Sequence, residues 1–490
     1  MLALLDVRAA TSFRTVEKRL DKLIDSSPDI ARAYLGYEVL DLETGNIILQ
    51  ANARNFFTPA SNTKLYTTAL ALVRLGSNYR YETQLRTRTP WTPGQTTISD
   101  LEIVGGGDPE LTGRTLPYRV DAPEGDPLAP LEQLAAKLFK LGIRQIDGDV
   151  SGISTRYTND FYPNGWGLDD TSYAYGAPVS ALAVNDNSIS VTIHPSSPGE
   201  SATLEITPHL SYLTILNQII TDDSRDSHIQ ILRCPGSSEV VLWGAIGQQA
   251  PDWKEDFAVE DPALFAAAAL IDVLRNHGIT VRGDPRADYC GANDVSAPSN
   301  SCDTTRDNAR VLAVHQSAPL GEIIQMITKT SDNLGAEMLL REVTHVSSGL
   351  GTLSVGAKAR EDFLAQLGIQ PDGFALADGS GLARQDLTTP ASTVALLHAM
   401  WETADRGVWL DSLPIGGVDG TLQHRFQKQP AAYRVHAKTG SLTHVNTLSG
   451  YINTPSHGWL AFSIMINATT APAQQVRDFI DAFCGLLLEE

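Results

Sequence analysis

Apolar residues recur at three- and four-residue intervals near both ends of the chain. In residues 11–25, Phe13, Val16, Leu20, Leu23 and Ile24 share one helical face behind Ser12 as a cap. The period then shortens to two. Residues 34–42 and 46–51 are β-rich runs joined by Glu43-Thr44-Gly45, which predicts a hairpin. A second helix is predicted from Pro59-Ala60-Ser61 to about Leu75, with Gly76 ending it. At the other end, residues 446–453 and 459–468 read as strands. Pro472 then opens a last helix that puts Val476, Phe479, Ile480 and Phe483 on one side. Helix and hairpin at the start, strands and helix at the end, predict one α/β domain built by both termini around a shared antiparallel sheet. The middle of the chain is then an insertion.

Within that middle, residues 79–88 alternate, residues 101–104 form a short strand, and residues 131–141 form a helix leading into Gly142-Ile143 and Gly148-Asp149. Residues 264–276 repeat the arrangement, leading into Gly278-Ile279 and Gly283-Asp284. The echo predicts that 81–183 and 259–305 are two halves of one inserted domain. Between them, 184–258 holds short apolar runs with turn signals and reads as a nested, mainly β module. The outer domain is then 11–80 plus 306–490.

The composition fits a folded, loop-rich protein: 42% of the 490 residues are hydrophobic, and there are 39 Gly and 26 Pro. With 37 Lys and Arg against 57 Asp and Glu, the net charge is −20, which argues against nucleic acid or an anionic membrane as a partner. No apolar run approaches the roughly 18 residues of a spanning helix. The stretch Met1 to Leu5 lacks a basic region and a long apolar core, so no complete signal peptide is read. Four cysteines without C-x-x-C spacing exclude a disulfide scaffold and predict no structural metal. Cys290 and Cys302 flank a Gly-, Asn- and Ser-rich loop, either as a disulfide in an oxidising compartment or as two thiols.

Three short motifs carry candidate chemistry. Ser61-Asn62-Thr63-Lys64 places a hydroxyl and an amine three residues apart, on one face of the predicted helix. A serine needs a base to become a nucleophile, and a lysine held neutral by burial can be that base. Alone, the pattern equally describes a helix cap and a solvated lysine. Ser331-Asp332-Asn333 stands at a predicted helix start and Lys438-Thr439-Gly440 ends an apolar strand-like run; each has an ordinary structural reading too. In this order, the three reproduce the Ser-x-x-Lys, Ser-x-Asn, Lys-Thr-Gly set of serine acyl-transfer enzymes.

With the stretch 57–65, the Gly105-Gly-Gly-Asp-Pro109 turn, and segments 175–182, 378–384 and 413–422, the chain resembles the D-alanyl-D-alanine carboxypeptidase/endopeptidase family, the class C low-molecular-mass penicillin-binding proteins. The resemblance implies a multi-domain α/β fold: a transpeptidase/β-lactamase-like catalytic domain interrupted by an inserted domain that itself carries a smaller one. It implies a serine peptidase without metal or cofactor, acting on peptidoglycan stem peptides outside the cytoplasm, in the periplasm or an equivalent space, and acylated by β-lactams. Carried over to this chain, Ser61 is the nucleophile, Lys64 its base and Ser331 a proton relay. Asn333 holds the substrate amide, Lys438 and Thr439 its carboxylate, Gly440 admits the peptide backbone, and the N–H groups of Ser61 and Ser441 form the oxyanion hole.

Other patterns are weaker. Lys329-Thr330 runs into Ser331 without the required Gly, and Ser354 in Thr352-Leu-Ser-Val-Gly356 lies in a predicted helix. Gly105-Gly106-Gly107 lacks the lysine of a phosphate loop, while His436 and His444 read as structural or rim residues. Asp378 and Asp419 read as turn formers first and substrate contacts second. Rival functions are a β-lactamase or esterase, for which no water-activating Glu is identified, and an inactive peptidoglycan-binding protein, which the intact motifs disfavour.

Overall fold

The computed structural model describes residues 15–210, 212–289, 309–427 and 430–489. The predicted segment 11–25 is helical from residue 15, while Cys290, Cys302 and the N-terminal residues before 15 lie outside the described residues. Cys234 and Cys484 are free thiols.

A five-stranded antiparallel sheet joins the two chain ends, in the order Val435–Leu442, Val445–Thr454, Gly458–Asn467, Tyr34–Asp41, Ile47–Ala51. Its strands alternate between two buried faces, as period-two patterning requires. On one face Tyr37, Val39 and Ile464 pack against Val16 and Leu20 of the first helix and against Phe479 and Phe483 of the last, Ala473–Leu486. On the other, Leu40, Tyr451 and Ala461 meet a group of helices that includes Thr63–Leu75, Leu320–Thr330 and Asn333–Ser348. The result is helices on both sides of a sheet, and the predicted hairpin, both end strands and the last helix are present.

The insertion has its own sheet, in the order Pro285–Tyr289, Val150–Ser154, Leu101–Val104, Glu82–Thr87, Arg310–Gln316. The echo noted in the sequence has a spatial counterpart. Gln145 pairs with Thr280 and Val150 with Pro285, both in parallel, so equivalent strands of the two halves lie side by side. The helices Ala129–Lys140 and Pro262–Asn276 bury Leu131, Leu138, Leu270 and Leu274 in the same core. Two three-stranded sheets between residues 188 and 258 share that core, through Ile189, Ile219 and Val240. The boundary read at 306 needs moving: residues 310–316 pair antiparallel with Glu82–Thr87, so that strand belongs to the inserted sheet. A local pattern reveals a strand but not its partner. We propose a division in which this strand joins 81–183 and 259–305, with 184–258 nested inside.

Candidate active site

The site forms where the Ser61 turn, the start of helix Asn333–Ser348 and strand Val435–Leu442 converge. Ser61 sits in a 3₁₀ turn, Ala60–Asn62, that runs directly into helix Thr63–Leu75. This turn lies against the strand: Asn62 Nδ2 donates to the Lys438 carbonyl at 3.0 Å, and Thr447 Oγ1 donates to the Pro59 carbonyl at 2.9 Å. The contact requires Gly440, since a Cβ there would stand 2.2 Å from Thr447 Oγ1 and 2.5 Å from the Pro59 oxygen.

Lys64 lies one turn after Ser61 and has no exposed surface. Its Nζ donates to Ser61 Oγ at 3.1 Å, to Asn333 Oδ1 at 2.6 Å and to the Ser380 carbonyl at 2.7 Å. Burial pulls its pKa down to about 8, against the opposing charges of Asp378, Asp332, Glu337 and Asp386. Glu337 and Asp378 also fix the loop that supplies the Ser380 carbonyl. Glu337 Oε1 accepts the N–H groups of Gly379 and Ser380, both at 2.8 Å, and Asp378 accepts those of Gly381 and Ala383 at 2.7 and 2.8 Å.

Ser331 caps the C-terminus of helix Leu320–Thr330 in the left-handed region, with φ of 63°. Asp332 then caps the next helix by accepting the Gly335 N–H, so Ser331 and Asn333 are held at a sharp corner facing the cleft. Ser331 Oγ accepts a hydrogen bond from Lys438 Nζ at 2.9 Å. Lys438 is also fully buried, and burial, reinforced by the charge of Lys64, lowers its pKa well below the usual lysine value. Thr439 Oγ1 meets Thr421 Oγ1 at 2.8 Å. Ser61, Ser331, Thr439, Gly440 and Ser441 line one cleft of about 290 Å³. All eight residues singled out in the sequence thus gather at one place, with Lys64, Asn333 and Lys438 tied into its wall.

The patterns set aside have structural positions. Lys329 is a buried strut: its Nζ donates to the Leu413 carbonyl at 2.9 Å and to Asp419 Oδ2 at 2.6 Å, bracing the loop that carries Thr421. Ser354 is exposed on helix Leu353–Gln366. His444 Nδ1 bonds the Thr469 carbonyl, and His436 packs edge-on against Trp459. Asp378 and Asp419 hold turns. The sequence reading missed Glu337 and Asp386, and it missed the hold of the insertion on the site. Asn333 Nδ2 donates to the Tyr175 carbonyl at 2.8 Å, Trp166 Nε1 donates to Asp378 at 2.9 Å, and Arg384 pairs with Asp170 at 2.9 Å.

A hydroxyl within reach of a buried amine, backed by a second serine and a second lysine, defines a serine acyl-transfer enzyme of the penicillin-binding type. The family model for the D-Ala-D-Ala carboxypeptidase 3 (S13) family matches residues 16–486, and the chain belongs to that family of serine peptidases. It is 31% identical over 478 residues to the D-alanyl-D-alanine carboxypeptidase of Actinomadura sp. (strain R39), covering 95% of this chain and 83% of the relative. It is 26% identical over 444 residues to the D-alanyl-D-alanine carboxypeptidase DacB of Haemophilus influenzae, covering 88% of this chain and 85% of that one. The crystal structure of penicillin binding protein 4 from Haemophilus influenzae shares its fold, with TM-score 0.78 at 24% identity over 96% of this chain and 98% of that one. A second structure of that protein, complexed with a β-lactam, gives TM-score 0.73 at 24% identity over 95% and 99%.

Proposed function

We propose that Ser61 is the nucleophile of this D-Ala-D-Ala carboxypeptidase and that the two buried lysines divide the work of acylation. The carrying observation is the 3.1 Å contact between Nζ of the fully buried Lys64 and Oγ of Ser61, which lines the cleft. Neutral Lys64 takes the proton as Ser61 attacks the carbonyl of the penultimate D-Ala. The N–H groups of Ser61 and Ser441 receive the oxyanion. Ser331, whose Oγ is held by Lys438 Nζ at 2.9 Å, passes the proton to the departing amine. Asn333 steadies Lys64 with its oxygen and offers its amide to the substrate. Water then hydrolyses the ester and restores Ser61.

Among the described residues Lys438 Nζ meets Ser331 Oγ and the Thr439 carbonyl and no carboxylate, so the substrate's terminal carboxylate supplies its counterion, while Thr439 adds a directional donor. A carboxylate there favours the charged form of Lys438, and that charge disfavours one on Lys64. Substrate binding thereby promotes the neutral base. Peptidoglycan stem peptides outside the cytoplasm are the substrate this chemistry serves, and β-lactams acylate Ser61 by the same route. Among the described residues no helix is long and apolar enough to cross a membrane.

Mass spectrometry after mixing with penicillin tests the reading. A long-lived adduct on the Ser61 peptide, absent in Ser61→Ala, is the expected result. Rapid turnover of penicillin points to a β-lactamase, and no reaction at all to an inactive wall-binding protein.

A further inference from the structure

Among the described residues, the nested module 184–258 supplies none of the side chains that line the active-site cleft. One of its sheets has an outward face of its own. Strands Thr214–Asp222, Glu239–Gly247 and Ser227–Leu232 form this sheet, and Glu239–Gly247 pairs with both of the others. Period-two alternation sends Ile219, Val240, Leu242 and Ile246 into the core and the residues between them outward.

The register lines the outward residues up in rows. In one row Trp243 stands between Gln218 and Gln230. In the next, Val241 stands between Leu216 and Leu232, and on the other side Ala245 stands between Ile220 and His228. Trp243, Leu216 and Leu232 are 38%, 41% and 55% exposed. Among the described residues the Trp243 indole N–H and the side-chain amides of Gln218 and Gln230 have no hydrogen-bond partner. A contiguous apolar patch of this kind on a solvent face marks a binding surface.

Size and charge select the occupant. Strands about 4.8 Å apart and alternate residues about 6.7 Å apart give the three rows an area on the order of 300 Å². A stable protein interface takes about 800 Å² per partner, so the face is too small for one. The rows centred on Trp243 and Val241 carry no charge, in a chain of net charge −20, which fits an uncharged ligand. An aromatic ring between two free amides suits a pyranose: the sugar's C–H groups meet the negative face of the ring, and its hydroxyl and acetamido groups find donors and acceptors on either side. The adjoining Leu216, Val241 and Leu232 offer a dry contact to an acetyl methyl group.

We propose that this face binds an uncharged, N-acetylated glycan strand, the polysaccharide that bears the stem peptides, and so tethers the enzyme to its polymeric substrate. Only the identity of the polysaccharide rests on the reading of the Ser61 site given above. A weak contact suffices, because a tether raises the local concentration of every peptide attached to the same strand.

Calorimetry with a soluble chitin hexamer, and co-sedimentation with glycan strands stripped of their peptides by an amidase, test the proposal on the full chain. The wild type should bind both probes. Trp243→Ala should weaken binding at least about tenfold and Trp243→Tyr only about threefold, with penicillin acylation of Ser61 unchanged in both variants as the sign of an intact fold. No binding of either probe by the wild type, or equal binding by Trp243→Ala, overturns the assignment. So does a Trp243→Ala variant that keeps glycan binding but turns from dimer to monomer in sedimentation velocity, which would make the face a self-association surface. A wild type that binds the hexamer but is not acylated by penicillin refutes the Ser61 reading and leaves the glycan face standing.

Discussion

The two walls of the cleft each bury a lysine completely, yet they surround it differently. On the helical wall, Lys64 has four carboxylates within electrostatic reach, Asp378, Asp332, Glu337 and Asp386, and three hydrogen-bond acceptors. On the strand wall, Lys438 has Ser331 Oγ, the Thr439 carbonyl and the repulsion of Lys64. Burial alone would make both neutral. The carboxylates keep the Lys64 pKa near 8, where an amine can both accept and return a proton, whereas the strand wall leaves Lys438 in want of an anion. The same side chain at the same burial thus becomes a base on one wall and a carboxylate holder on the other.

The largest effect should come from Lys64→Arg. The charge is kept, but arginine does not deprotonate in a protein, so acylation by penicillin should fall by about 10²–10⁴-fold in stopped-flow measurements. A loss under about tenfold would break the division of labour. Gly440→Ala comes next. Its methyl must displace Thr447 or the Pro59 carbonyl, moving the Ser61 turn, and misplacement of this kind costs about 10²-fold in kcat/KM. Wild-type rates would mean that the turn does not depend on this contact. Lys438→Ala should weaken acylation by a carboxylate-ending peptide about tenfold more than by its C-terminal amide. Equal losses would assign Lys438 a role only through its field on Lys64.

The smallest effect is the most selective. Asp332→Asn keeps a competent cap for helix Asn333–Ser348 but removes a charge that raises the Lys64 pKa. The ascending limb of the pH–acylation profile should therefore move to lower pH, with the maximal rate within about threefold of wild type. A limb that stayed in place, or moved to higher pH, would deny the carboxylates their part.

Much of this was legible in the chain. The hairpin at 34–51, the last helix and the three motifs follow from period, caps and spacing, all of which are local. The expected boundary at 306 puts residues 310–316 in the outer domain, whereas the strand they form pairs with 82–87, and pairing across that distance leaves no local trace. Glu337 and Asp386 escaped for a similar reason. A carboxylate in a helix or a loop looks solvated until the fold buries it beside an amine. Lys329-Thr330 was set aside as chemistry, and it serves as the buried brace of the loop beneath Thr439.

The central claim is that Lys64, and not another group, takes the proton of Ser61. Its most direct test is the rate of Ser61 acylation by penicillin against pH, under single-turnover conditions with the adduct located by mass spectrometry. Because only the neutral amine accepts a proton, the rate should rise through a single limb centred near about 8 and level off above it. A profile that is flat across that range, or an adduct on a serine other than Ser61, would contradict the account.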